Sequence, residues 1–239
     1  MGAVYLVRHG QASFGKADYD RLSELGVEQA QLLGHALRSR LPALDALYSG
    51  SMLRHRQTAE HCVAGLGEAF GRLPEPVIRA GFNEFDHEEV VVRLKPLYAN
   101  KLLMAADLAK TLNPRRAFQQ VFEEAVARWV SGLHDDEYAE SWPSFRNRCV
   151  TSLQEVVAEL GASKTALVFT SGGTITAICQ HLLGMPDDTA FRLNHTLANC
   201  GLTKVIYSER GLYVSTVNEH AHFEMANLRG GERKLITYR

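Results

Sequence analysis

Short apolar runs alternate with longer amphipathic stretches at the start of the chain. Residues 3–7 are continuously aliphatic or aromatic, which is typical of a strand buried on both faces in a parallel sheet. Ser23 is a candidate N-cap, and the apolar stripe that follows it predicts a helix to about Arg40. A short strand at residues 46–48 and a helix beginning near Met52 repeat this β-then-α pattern.

A third β-then-α unit lies in the second half of the chain. Residues 165–170 form the clearest strand pattern, and a helix is predicted from about Thr174 to Leu183. Residues 202–207 and 212–217 predict a hairpin, followed by a tail that begins near Phe223.

The stretch between the second and third units is mostly helical in pattern and is interrupted by three prolines. It predicts a helical insertion over about residues 85–160, placed as a cap on a single domain of residues 1–239. The fold class expected is α/β, with a mostly parallel central sheet flanked by helices and an inserted helical subdomain.

Composition narrows the classes of protein. The 239 residues are 46% hydrophobic and have a formal net charge of −1, which excludes disorder and argues against nucleic-acid or anionic-membrane partners. Four cysteines without a close pair favour a reducing compartment, so a cytoplasmic location is expected. The apolar run at residues 3–7 is too short for a signal peptide or a membrane span. Oligomeric state is left open.

Chemistry-bearing side chains follow three of the predicted strands. They are Arg8 and His9 after the first, Ser49 with Arg54 after the second, and Ser171 after the third. Open α/β sheets place their sites beyond these carboxyl ends. Forked guanidinium donors, free backbone N–H groups at glycines and a nucleophilic imidazole suit a phosphoryl group. The alternative is that Arg8 and His9 merely end a strand.

Several motifs along the chain together suggest a family. They are Leu6-Val7-Arg8-His9-Gly10, Leu22-Ser23-x-x-Gly26-x-x-Gln29-Ala30, Ser51-x-Leu53-Arg54-x-x-Gln57-Thr58-Ala59, Phe82-Asn83-Glu84-Phe85, and later Thr170-Ser171-Gly172-Gly173 and Asn218-x-x-x-His222-Phe223. In order and spacing the chain resembles the histidine phosphatase superfamily, the phosphoglycerate mutase-like proteins, over nearly its whole length.

The resemblance implies a mechanism. His9 would be phosphorylated during turnover, Arg8 and Arg54 would hold the phosphoryl oxygens, and Glu84 or an acid beside it would protonate the leaving alcohol. Asp86, Glu88 and Glu89 compete with Glu84 for that step. The function expected is a metal-independent phosphomonoesterase acting on a small phosphorylated substrate, without a cofactor.

One position departs from the family pattern. Ser171 stands where the family normally has a second histidine, immediately before the glycine pair. A hydroxyl can still donate one hydrogen bond, but it carries no charge. His87 and His222 are the histidines considered as substitutes, and Gln11, Ser13 and Gly172 are further candidates for substrate contact.

Two other functions stay open. A weakened family member would bind a phosphorylated ligand or protein without efficient turnover. A serine hydrolase would use Ser171 with Asp187 or Asp188 and then His220 or His222, although Phe169 is too large for the position two residues before the nucleophile. A mutase is less favoured, since no residue is assignable to holding a bisphosphate.

Two further patterns are weaker. His220, His222 and Glu224 would face one side of a strand and suggest a metal, but a continuing hairpin explains them equally well, and no metal is expected. The basic runs Arg54-His55-Arg56 and Arg115-Arg116 are interpreted as local anion contacts.

Overall fold

The computed structural model describes residues 1–13, 20–68, 70, 71, 73, 75–230 and 234–238, without the side chains of residues 229 and 230. The chain divides into two compact units. The first unit comprises Met1–Glu84 and Arg148–Arg239, and the second comprises Phe85–Asn147.

The first unit is built on a six-stranded sheet. Its strands, in chain order, are β1 (Gly2–Arg8), β2 (Ala46–Ser49), β3 (Val77–Ile78), β4 (Thr165–Thr170), β5 (Leu202–Ser208) and β6 (Gly211–Glu219). They lie in the order β3-β2-β4-β1-β5-β6. β1 to β4 pair in parallel, whereas β5 and β6 are antiparallel to their neighbours. The expected α/β class with a mostly parallel sheet is confirmed.

Nine α-helices are assigned within the described ranges. They are α1 (Glu24–Arg40), α2 (Leu53–Leu66), α3 (His87–Leu94), α4 (Lys101–Leu108), α5 (Pro114–Val130), α6 (Trp142–Leu160), α7 (Gly172–Leu183), α8 (Asp187–Thr196) and α9 (Ala221–Gly230).

Local sequence explains the elements around β1. Val4, Leu6 and Val7 are completely buried, as expected for a central strand. Ser23 is the N-cap of α1 and accepts a hydrogen bond from the Gly26 amide, which confirms the predicted helix start. The first turn of α1 therefore begins beside the loop that follows β1.

The main hydrophobic core of the first unit lies where α1, α2 and α9 cover the sheet. Leucines of α1, Cys62 and Leu66 of α2, and Phe223 of α9 pack on Leu167 and Phe169 of β4. These contacts bury large apolar side chains completely, which is the dominant stabilising term in such a domain.

Two elements, α7 and α9, differ from the sequence prediction. α7 begins at Gly172, two residues before the predicted start. The segment after β6 is a helix, α9, rather than a tail or a continuing strand. His222 and Glu224 therefore lie on a helix, and the proposed strand face with three metal ligands is wrong.

The second unit is helical. α3 and α5 pack together, and its core is a cluster of aromatic rings in which Trp129 contacts Phe85, Trp142 and Phe145 at ring-centroid distances of 4.7 to 5.7 Å. This agrees with the helical pattern of the inserted stretch. A single domain carrying this insertion as a cap stays a prediction.

In the part of the chain that the structure describes, no helix is both long and apolar enough to cross a membrane.

Candidate active site

Three neighbouring strands end at one edge of the sheet. The His9 amide donates to the Thr170 carbonyl at 2.8 Å, which joins the ends of β1 and β4. The Gly50 amide donates to the Phe169 carbonyl at 2.9 Å, which joins the ends of β2 and β4. The three strand ends that the sequence analysis identified as candidate site segments are thus adjacent.

His9 is held as a neutral imidazole, and one of its ring nitrogens has no hydrogen-bond partner among the residues that the structure describes. Its side chain is only 7% exposed, and Nδ1 lies 2.8 Å from the Gly10 carbonyl oxygen. A carbonyl can only accept, so Nδ1 carries the proton and Nε2 carries a lone pair. Burial, and then the electrostatic influence of Arg54, His55 and Arg8, hold the pKa of His9 well below 6.5.

The turn after His9 is packed against α1 and α2. The Gly10 amide donates to the Thr58 hydroxyl at 3.0 Å, and that hydroxyl donates to the Arg54 carbonyl at 2.6 Å. A Cβ on Gly10 would overlap the Gly26 carbonyl oxygen, so only glycine permits this close approach. The first motif is therefore joined to the second by backbone packing and to the third by the Thr58 hydroxyl.

Arg54 lies in the first turn of α2 and is only 6% exposed. Its guanidinium donates to the Asp20 carboxylate at 2.8 Å, and the second oxygen of that carboxylate accepts from the Leu53 amide at 2.7 Å. The carboxylate thus holds both the first turn of α2 and the arginine.

Arg8 lies at the end of β1, next to the start of α7. Its guanidinium donates to the carbonyls of Leu197 and Tyr238. A Cβ on Gly172 would lie 3.4 Å from the Arg8 Nε, so the absence of a side chain at Gly172 leaves space beside the guanidinium.

Glu84 lies at the N-terminus of α7. Its Oε2 accepts a hydrogen bond from the Gly173 amide at 3.0 Å. The segment before Glu84 is fixed in turn, because Thr170 and Thr174 donate their hydroxyl protons to the carbonyls of Phe82 and Asn83. The carboxylate therefore reaches the edge of the sheet where His9 lies.

The acids that competed with Glu84 are engaged within the second unit. Asp86 caps α3 by accepting from the Glu89 amide, Glu88 pairs with Lys101, and Glu89 pairs with Arg93. These contacts give each of the three acids a structural role within the second unit.

Ser171 is the N-cap residue of α7, but its hydroxyl does not cap the helix. The Oγ lies 2.6 Å from Nε2 of His55, a completely buried histidine of α2. The centroids of the His55 and His9 rings are 5.7 Å apart. A second histidine thus lies beside the nucleophile candidate, although it comes from another strand end than the one expected.

The other predicted contact residues have internal hydrogen bonds. The Gln11 side chain accepts from the Ser23 hydroxyl at 2.9 Å, and the Ser13 hydroxyl donates to the Leu22 carbonyl at 3.1 Å. Both bonds hold the loop that follows β1. Substrate contact by Gln11, Ser13 and Gly172 stays a prediction.

The two histidines that were expected to substitute at Ser171 lie elsewhere in the chain. His87 is the first residue of α3 in the second unit. His222 lies on α9, where Glu219 and Arg40 are its charged neighbours. Arg40 is the last residue of α1, whereas Gly10 packs against the first turn of that helix. The residue bonded to Ser171 is His55.

Sequence reasoning missed His55 because it interpreted the run Arg54-His55-Arg56 only as local anion contacts. Arg54 and His55 are buried, whereas Arg56 is exposed, and anion contact by this run stays a prediction. The available signal for His55 is Ser171 itself: where the family's second histidine is absent, a histidine inside a neighbouring motif is a candidate to lie at the site. Asp20 and Asn199 were also missed; Asn199 donates its side-chain amide to the His9 carbonyl at 2.9 Å.

Metal ligation has little support in the described ranges. No group of three or more histidine, cysteine, aspartate or glutamate side chains there could hold a metal ion. The four cysteines are buried and free.

The fold and the site define a class: an α/β protein with a neutral histidine, arginines and helix N-terminal amides at the carboxyl ends of parallel strands, a set suited to a phosphoryl group. The chain belongs to the histidine phosphatase superfamily, branch 1, whose family model matches residues 4–96 and 109–220. The resemblance seen in the motifs is confirmed.

Individual relatives agree with this membership. The chain is 27% identical over 219 residues to a 2,3-bisphosphoglycerate-dependent phosphoglycerate mutase of Leifsonia xyli subsp. xyli, covering 80% of this chain and 81% of that protein.

Solved structures share the fold. A phosphoserine phosphatase from Entamoeba histolytica, in complex with phosphoserine, matches with a TM-score of 0.62 at 16% identity, covering 93% of this chain and 99% of that one. A phosphoglycerate mutase from Bacillus anthracis matches with a TM-score of 0.61 at 20% identity, covering 93% and 95%.

Proposed function

We propose that this protein hydrolyses a small phosphomonoester through a phosphohistidine on His9. The observation that carries the proposal is the state of His9, a neutral imidazole whose Nδ1–H is bound to the Gly10 carbonyl and whose Nε2 has no partner in the described ranges. Attack on phosphorus through Nε2 requires this tautomer, because the attacking nitrogen must carry a lone pair. Family membership supports a phosphatase-type activity.

In the first step, Nε2 of His9 attacks phosphorus and the bond from phosphorus to the leaving oxygen breaks. The guanidinium groups of Arg8 and Arg54 stabilise the negative charge on the equatorial oxygens. Glu84, in its protonated form, gives its proton to the leaving oxygen, and an alcohol departs. His9 then carries the phosphoryl group.

In the second step, water attacks the phosphohistidine. The Glu84 carboxylate takes a proton from the water, the bond from Nε2 to phosphorus breaks, and inorganic phosphate leaves. His9 returns to the neutral form. No metal takes part in this scheme, because the side chains provide both the nucleophile and the positive charge.

The serine-hydrolase alternative lacks a triad. Ser171 is bonded to His55 rather than to His220 or His222, and Nδ1 of His55 is buried without a hydrogen-bond partner among the described residues. A catalytic base needs a third group to orient it. The weakened-member alternative is separated from the proposal by measuring turnover.

The test is hydrolysis of generic phosphomonoesters by the wild type and by His9→Ala. We expect phosphate release and an acid-labile phosphoprotein in the wild type, and loss of both in His9→Ala with folding intact. His35→Ala, at an exposed position of α1, is the matched control and should be fully active. Activity that persists in His9→Ala but vanishes in Ser171→Ala would instead support serine hydrolysis. Phosphate binding without turnover would support the weakened member.

A further inference from the structure

His55 is a buried histidine at the site that the proposed reaction does not use. It follows Arg54 directly on α2 and has no exposed surface. Burying an imidazole costs folding free energy unless its polar atoms find hydrogen-bond partners, so an incompletely paired buried histidine calls for a functional explanation. Its one hydrogen bond among the described residues is the 2.6 Å contact with the Ser171 hydroxyl.

The backbone is shaped to admit this ring. A Cβ on Gly50, at the end of β2, would overlap Nδ1 of His55. The Gly50 amide donates a hydrogen bond to the Phe169 carbonyl, which holds Gly50 against β4. The position of His55 against Ser171 is therefore built in by β2 and β4 together.

The charge state of His55 decides which group donates. Burial, and then the charge of Arg54, hold the pKa of His55 well below 6.5, so the ring carries a single proton at neutral pH. If that proton is on Nε2, it is donated to the Ser171 oxygen and no buried N–H lacks an acceptor. The Ser171 hydroxyl proton is then available to a further acceptor.

We propose that Ser171 donates its hydroxyl proton to an oxygen of the transferring phosphoryl group and that His55 positions this hydroxyl by donating Nε2–H to its oxygen. The inference rests on the proposed phosphatase function, of which it names two further participants. Ser171 would touch the substrate, whereas His55 would act through Ser171. The pair would place a polarised neutral donor beside His9.

The alternative is that the bond only joins α2 to α7. Two amide variants separate the two cases, because the Gln side chain places its amide nitrogen at the reach of the histidine Nε2 and the Asn side chain is one methylene too short. His55→Gln keeps a donor to Ser171, and His55→Asn removes it while retaining a polar amide.

The experiment measures kcat and KM for p-nitrophenyl phosphate, whose leaving group needs little help from an acid. We expect Ser171→Ala and His55→Asn each to lower kcat by about 10²-fold, the loss typical of one preorganised donor. The double variant Ser171→Ala/His55→Asn should be no slower than either single variant, because the two residues form one unit. His55→Gln should retain most of the rate, and His61→Gln, further along α2, should match the wild type.

Two results would overturn the inference. Additive losses in the double variant would show that His55 acts independently of Ser171. Equal rates for His55→Gln and His55→Asn would reduce the bond to packing. If His9→Ala keeps its activity, the proposed function fails by itself.

The pair can then still be tested by calorimetric binding of inorganic phosphate. Ser171→Ala and His55→Asn should weaken that binding about tenfold, and His55→Gln should not. Phosphate binding that is indifferent to all three variants would overturn the inference.

Discussion

Arg54 shows how one side chain at this site combines two tasks. Its guanidinium is nearly buried and is already bound to the Asp20 carboxylate, which also accepts from the first turn of α2. In the proposed reaction, the other guanidinium N–H groups would donate to phosphoryl oxygens in the fork geometry that distinguishes arginine from lysine. Asp20 thus fixes the direction in which the fork points.

At the residue scale, we predict that Arg54→Lys weakens both inhibition by orthovanadate and turnover. Lysine keeps the positive charge but cannot donate two parallel hydrogen bonds to the phosphoryl oxygens as the planar guanidinium does. Turnover should therefore fall by about 10²-fold. The measurement is the inhibition constant of vanadate together with kcat. Arg56→Lys, exposed on the same helix, is the control. Unchanged vanadate inhibition in Arg54→Lys would show that Arg54 does not hold the phosphoryl group.

The contact between α1 and α2 fixes the position of the loop after β1 relative to Arg54 and His55. α1 carries the Ser23 cap beside the β1 loop, and α2 carries Arg54 and His55. The two helices meet at glycines: a Cβ on Gly34 would overlap the Cys62 carbonyl oxygen, and a Cβ on Gly65 would overlap the Gln31 carbonyl oxygen. Backbone therefore lies against backbone at this crossing.

At the element scale, we predict that Gly34→Ala destabilises the protein even though alanine favours helices by about 1 kcal/mol. The new methyl group meets a main-chain oxygen, so the helices must separate, and overpacking of this kind costs about 1–3 kcal/mol. Urea unfolding measures the net change. The exposed substitution Gln31→Ala on the same helix should have little effect. A Gly34→Ala variant that is more stable than the wild type would show that the helices can adjust freely.

Across the whole first unit, buried histidines couple stability to pH. Burial lowers the pKa values of His9, His55 and His222, and that of His222 falls to about 4. Both ring nitrogens of His222 are buried without a partner in the described ranges, and the titratable or charged groups near them are Glu219, Arg40 and His220. Below pH 6.5 the unfolded chain takes up protons that the folded chain refuses, so the free energy of unfolding falls as pH falls.

At the scale of the molecule, we predict that His222→Leu reduces this acid sensitivity. Each such histidine contributes about 1.4 kcal/mol per pH unit between its two pKa values. Between pH 7 and pH 5 the variant should therefore lose about 2 kcal/mol less stability than the wild type. Denaturant unfolding at the two pH values measures the difference, with the exposed His35→Gln as a control. An identical loss in His222→Leu and the wild type would contradict the assignment.

The sequence pattern was sufficient to predict those strands and helices whose burial shows in the order of apolar and polar residues. The strands at residues 3–7 and 165–170 are apolar because both faces of the sheet are covered, and α1 shows its start through Ser23 and its buried face through its leucines. β3 has only two residues, both about half exposed, and α8 buries only Ala190, so neither leaves a readable pattern. β3 and α8 are therefore fixed by their contacts with the rest of the first unit rather than by a local sequence pattern.

The sequence by itself determined the α/β class, the family and the positions of Arg8, His9, Arg54 and Glu84, because these residues belong to motifs read along the chain. The pairing of Ser171 with His55 was decided only by tertiary structure. β4 enters the sheet between β2 and β1, although more than a hundred residues separate it from β2 along the chain. A hydrogen bond across that junction has no local signal in either segment. Physically, sheet order rather than periodicity selects which side chains meet.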